Sequence, residues 1–170
     1  LINNPGGLAG VWAEERSRPA IFDALRRRET FGTSGPRIAV RFFGGYGLAQ
    51  DLCGDPDMVA KAYATGVPMG GVLGGPPAGA AGPRFLVSAE RDPGTLAAPG
   101  GPLERLQIVK AWVAGGERHV QVFDVAGDTT GGATVDPATC ERTGSGADRL
   151  CAVWTDPAFD PTAGAYYYAR

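Results

Sequence analysis

The sequence predicts an α+β protein. A strand–helix–strand unit comes first, and a mostly antiparallel β-sandwich follows, with the join near residue 36. Three observations predict this. Residues 8–33 hold one amphipathic helical stretch between two short apolar runs. Beyond them, alternating or apolar segments recur with little helical period. Glycine (27 residues) and proline (14) punctuate the chain. Their intervals of about ten residues favour short strands over long helices.

The elements follow in order. "LAGVWA" (8–13) is apolar without helical period and reads as a buried strand. Ser17 suits an N-cap, with Pro19 in the first turn, where its missing N–H costs nothing. Ile21, Phe22 and Leu25 recur at helical spacing, so 18–28 is an amphipathic helix. "ETFGT" (29–33) is the next strand, and the three make a βαβ unit, which normally closes as a right-handed parallel crossover. After "TSGPR", "IAVRFFGGY" alternates as a strand does. "DPDMVAKAYATG" is a short helix that Asp55 or Asp57 caps and Gly66 stops; "VPMGGVL" is extended. "GGPPAGAAGP" (74–83) is a low-complexity loop. Segments 84–92, 103–113, 117–127, 150–156 and 165–170 are strands, and "AGG" joins the third to the second as a hairpin. About six strands in series with short turns argue for a sandwich.

A formal net charge of −2 leaves no basic surface to track a phosphate backbone, so nucleic acid is not an expected partner. The Arg26–Arg28 run reads as a solvated helix end that complements the helix dipole. No apolar run is long enough to span a bilayer. The chain opens on Leu1 and stops inside "AYYYAR", so we expect a piece of a longer protein, truncated within its last domain.

Cys140 and Cys151 flank the polar stretch "CERTGSGADRLC". Their spacing suits a disulfide that staples this loop, which favours a periplasmic or extracellular location. Cys53 is then left to pair beyond the chain. The competing reading is three buried free thiols in a reducing compartment. With no C-x-x-C pair and a single histidine, no zinc site is expected.

"NPGGLAGVWAEERSRPAIFDALRRRETFGTSGPRI" resembles the C-terminal part of the bacterial domain of unknown function 3604 family. "AYATGVPMGG", "LQIVKAWV", "VFDVAG" and "CAVWTDPAFDP" are similar to that family too. Its members resemble PHP-type metallohydrolases with α/β barrels that carry several metal ions. The resemblance implies that 1–36 is the C-terminal remnant of a PHP-like barrel and 37–170 a β-sandwich-like domain. It implies a metal-dependent hydrolase, a phosphoesterase among the options, with its histidine and carboxylate ligands upstream. No cofactor is then expected in this chain, and divalent metal ions are expected in the parent. The expected partners are the upstream barrel and an unidentified small-molecule substrate. The alternative is a non-catalytic β-sandwich module that binds a partner or covers the barrel.

In such a barrel the active site sits at the C-terminal strand ends. Glu14 and Glu15 follow the first strand, and Thr33 and Ser34 the second. Either glutamate could ligate a hard cation or act as a base, and the competing reading is a solvated pair. "GTSG" could form an anion nest, with Arg37 behind it to hold a carboxylate or phosphate; otherwise it is a turn between domains. These five residues are the candidate site. His119 has no nucleophile motif beside it and reads as structural. P-loop, dinucleotide and G-x-S-x-G patterns are absent. Trp12, Trp112, Trp154 and Tyr166–Tyr168 read as core, with a sugar-stacking platform as the alternative. "DPD" and "DPAFD" lack the spacing of a calcium site and read as turns.

Overall fold

The computed structural model of the chain describes residues 6–79, 82–130 and 132–170. Ala80 and Ala81, inside the predicted low-complexity loop, lie outside these.

Strand β1 (Leu8–Val11) leads to helix α1 (Arg18–Arg27) and strand β2 (Thr30–Thr33). The helix starts as its sequence dictates. The Ser17 hydroxyl accepts a hydrogen bond from Ala20 N at 3.3 Å, and proline occupies the first turn. It ends at Arg28, in the left-handed conformation with φ 60°. The predicted parallel crossover does not form. β1 and β2 pair antiparallel, with Leu8 opposite Thr33 and Val11 opposite Thr30. The reason lies in the connection. Trp12 N donates to Glu29 O at 3.0 Å, so the chain re-enters at the end of β1 that it left. The helix doubles back over its own approach and never carries the chain along the ribbon.

The remainder is the expected sandwich of antiparallel sheets. Its strands are β3 (Ala39–Gly45), β4 (Val67–Pro68), β5 (Arg84–Glu90), β6 (Arg105–Ala114), β7 (Glu117–Gly127), β8 (Thr134–Val135), β9 (Arg142–Thr143), β10 (Arg149–Thr155) and β11 (Ala165–Ala169). One sheet has the order β10-β5-β3-β4 and a second has β11-β6-β7. β8 and β9 form a small separate hairpin. Gly115 and Gly116 take φ of 60° and 83°, the left-handed pair that a tight β6–β7 hairpin needs.

The first sheet is covered on both faces. Phe42, Phe85, Val87 and Ala89 meet Leu103, Leu106 and Ile108 of the second sheet's side. Phe43 and Leu86, on the opposite face, meet Leu48, Leu52, Met58 and Ala62. These last belong to helix α2 (Met58–Thr65), the 3₁₀ turn Leu52–Gly54 and the segment before it. Burial on both sides explains why "RFFGG" and "FLVSA" lack a polar alternate face.

The predicted disulfide is corrected. Cys151 pairs with Cys53, not with Cys140, which is free and exposed. Cys151 lies on the face of β10 that meets the α2 layer, beside the 3₁₀ turn that carries Cys53. Cys140 sits in the β8–β9 hairpin, whose own bonds already close it: Asp136 N to Glu141 O at 2.9 Å and Cys140 N to Asp136 O at 2.8 Å. Loop spacing pointed to the nearer pair, and tertiary packing selected the distant one. No helix among the described residues is long and apolar enough to cross a membrane.

Candidate functional site

Antiparallel pairing decides what becomes of the five predicted site residues. Glu14 and Glu15 follow the Val11/Thr30 end of the ribbon, whereas Thr33, Ser34 and Arg37 follow the Leu8/Thr33 end. A four-residue ribbon is about 10 Å long, so one mouth does not gather them. Glu14, Glu15, Ser34 and Arg37 are exposed. The Thr33 hydroxyl accepts from Leu8 N at 3.2 Å, and Arg37 N donates to Asp92 Oδ2 at 2.8 Å. Asp92 thus anchors the end of the "GTSGPR" segment. That contact, with a further one from Gly94 N, holds the Asp92 carboxyl below its usual range.

Among the described residues, no group of three or more His, Cys, Asp or Glu side chains converges in a way that could hold a metal ion. The carboxylates of "DPD" and "DPAFD" are turn builders, as expected. Asp55 Oδ1 accepts from Asp57 N, Asp156 Oδ1 from Ala158 N, and Asp160 Oδ1 from Thr162 N.

Two places outside the predicted set concentrate chemistry. The first is the junction of the β1–α1–β2 unit with the first sheet. Trp12 Nε1 donates to Val40 O at 2.8 Å, and Arg28 Nε donates to Gly70 O at 2.9 Å. The Arg41 guanidinium rests over the Trp12 ring, 3.5 Å from its centroid. Glu29 is buried, accepts from the Tyr63 hydroxyl, and lies 3.6 Å from Arg27. Burial first, and then this acceptor, push the Tyr63 hydroxyl's pKa up. Replacing Tyr63 with Phe removes the donor and keeps the ring. We expect a loss of about 1–3 kcal/mol in urea unfolding, because Glu29 is left under-satisfied. Beside this junction lies a pocket of about 400 Å³ lined by Trp12, Arg41, Ser88, Glu90 and Arg149, and by the start of α2.

The second is a buried ion pair inside the sandwich. Lys110 Nζ meets Asp156 Oδ2 at 2.5 Å and Ala158 O at 2.8 Å, and the Tyr167 hydroxyl donates to the same Oδ2 at 2.6 Å. Sequence reading missed both clusters. Their signal was one basic residue inside an otherwise apolar strand: Lys110 in "LQIVKAWV" and Arg41 in "IAVRFFGG".

The aromatics divide. Trp154 packs on Phe85 and Phe123, and Tyr167 on Phe85, inside the sandwich. Tyr166 and Tyr168 are exposed on the outer face of the second sheet. His119 stacks on Trp112 with ring centroids 5.2 Å apart, a packing role.

The model for the protein of unknown function (DUF3604) family matches residues 2–170. The chain belongs to that family. No curated protein matches it, and no solved structure does either. For this DUF3604 chain, fold and site therefore rest on its own residues. The match spans both the β1–α1–β2 unit and the sandwich, so the two halves recur together as a family pattern.

Proposed function

We propose that this DUF3604 chain is the accessory part of a PHP-like, metal-dependent hydrolase, and has no hydrolytic activity alone. Its sandwich and its β1–α1–β2 unit cover a catalytic barrel that supplies the metal ligands. One observation carries this reading. Helix α1 is amphipathic, yet its apolar side is uncovered: Ile21, Phe22 and Leu25 are 39%, 58% and 48% exposed, and Ala24 is its one buried residue among those described. An exposed apolar stripe of this kind marks a surface meant for an apolar partner. The barrel is the partner the reading supplies. The Cys53–Cys151 disulfide favours a periplasmic or extracellular setting, where such bonds persist.

The test compares metal content and phosphoesterase turnover of this chain with those of a longer chain that includes the barrel. Stoichiometric metal and turnover in the longer chain alone are the expected result. Stoichiometric metal in this chain by itself would overturn it.

A further inference from the structure

The junction pocket has features that neither the barrel nor the sandwich requires. In-register partners lie on one sheet face. Arg41, Ser88 and Cys151 form one such row across β3, β5 and β10. Ala39, Glu90 and Arg149 form the next row out. The α2 layer covers Phe43 and Leu86 on this face and reaches Cys151 in the next row; beside it the pocket opens over Arg41, Ser88 and the outer row.

We propose that this pocket binds a small organic carboxylate with an apolar body. Three observations support it. Ser88 is 5% exposed and lines the pocket, and its hydroxyl has no hydrogen-bond partner among the described residues. Among the described residues every closed-off polar side-chain atom is satisfied, so this hydroxyl opens onto the pocket, where a ligand can partner it. The Arg41 guanidinium is preorganised between the Tyr63 hydroxyl and the Trp12 ring, which is itself pinned to Val40 O. Arg149 touches Met58 Sδ at 3.4 Å and forms no ion pair among the described residues.

Charge selects the ligand class. Arg41 and Arg149 face one uncommitted carboxylate, Glu90, since Asp55 is engaged by Lys61. One positive charge remains, which a monoanion neutralises and a dianion overshoots. A guanidinium grips a carboxylate bidentately, and the Ser88 hydroxyl adds a donor. Trp12, Ala39, Pro56, Met58 and Val59 give apolar walls for the ligand's body. A volume of about 400 Å³ lies in the usual range for small-molecule sites. The inference does not depend on the hydrolase reading and is tested without any turnover assay.

The experiment is calorimetric titration of the chain with hexanoate, benzoate, acetate, hexanamide and inorganic phosphate. Hexanoate and benzoate are expected to saturate one site per chain. Acetate, hexanamide and phosphate should each bind weaker by about tenfold or more, lacking the body, the charge or the fit. Arg149→Gln should weaken hexanoate by about tenfold, through loss of the guanidinium. Ser88→Ala should weaken it severalfold at an unchanged unfolding midpoint. It remains informative if the arginine variant misfolds. Failure of both hydrophobic carboxylates to saturate, phosphate binding tighter than hexanoate, or full affinity in Ser88→Ala would each overturn the proposal.

Discussion

Replacing Asp156 with Ala is expected to destabilise the chain by about 3–5 kcal/mol, the cost of leaving a buried charge without its partner. The Asp156 side chain is fully buried and that of Lys110 is 6% exposed. Two of the ammonium's donors are spoken for, by Asp156 and by Ala158 O, and its aromatic neighbours are Trp112 and Tyr167, with ring centroids at 5.1 and 5.9 Å. Without the carboxylate, the ammonium keeps Ala158 O as an acceptor and only the more distant Asp160 as a counter-charge. The location amplifies the effect. Asp156 leaves β10 of the first sheet, whereas Lys110 and Tyr167 lie on β6 and β11 of the second, so this one carboxylate ties the sheets together at that end. A Lys110→Met/Asp156→Leu pair should lose markedly less than Asp156→Ala alone, because apolar replacement removes both desolvated charges together. Urea unfolding measures all three, and equal losses in the single and the double variant would refute the argument.

The same group predicts a pH dependence. Burial pushes the Asp156 carboxyl up, but hydrogen bonds from Lys110, Tyr167 and Ala158 N outweigh it, and the net displacement is downward. A carboxyl lowered in the folded state adds stability above its unfolded pKa, about 3.9. That stability is lost as pH falls through the lower folded value. The acid limb of the stability curve should therefore be shallower in Asp156→Ala than in the parent chain, below about pH 4.

How much of this was legible depended on range. Helix α1 was readable because Ser17, Pro19 and the Ile21, Phe22, Leu25 spacing act within one element. The β6–β7 hairpin was readable for the same reason, from Gly115 and Gly116. The direction of β2 against β1 was not, since it turns on a reversal at Arg28 and a backbone bond from Trp12 to Glu29. A βαβ pattern carries a strong parallel prior, and here local geometry overrode it. That one reversal separated Glu14 and Glu15 from Thr33, Ser34 and Arg37. The two charged clusters were hidden for a related reason. Lys110 and Asp156 are 46 residues apart, and Arg41 meets Trp12 across the junction of two units. Sequence shows that a cation is buried and does not show what neutralises it.

The disulfide shows the same limit with a larger stake. Its cysteines are 98 residues apart, so the bridge constrains more than half of the chain when it unfolds. Loop-closure entropy for a ring of that size is worth about 4–5 kcal/mol. Reduction also frees the 3₁₀ turn at Leu52–Gly54 from β10, and with it one wall of the core that Met58 and Ala62 complete. We therefore expect reduction, or a Cys53→Ala/Cys151→Ala variant, to lower stability by about 4 kcal/mol in guanidinium unfolding. Cys140→Ser should leave the midpoint where it is, because that thiol is exposed and bridges nothing. Thiol titration gives an independent readout: of three cysteines, one should react before reduction and three after it. The local loop staple between Cys140 and Cys151 predicts the reverse, with Cys140→Ser costly and Cys53→Ala neutral. A midpoint unmoved after complete reduction would instead mean that the α2 layer holds the sheet by apolar packing alone.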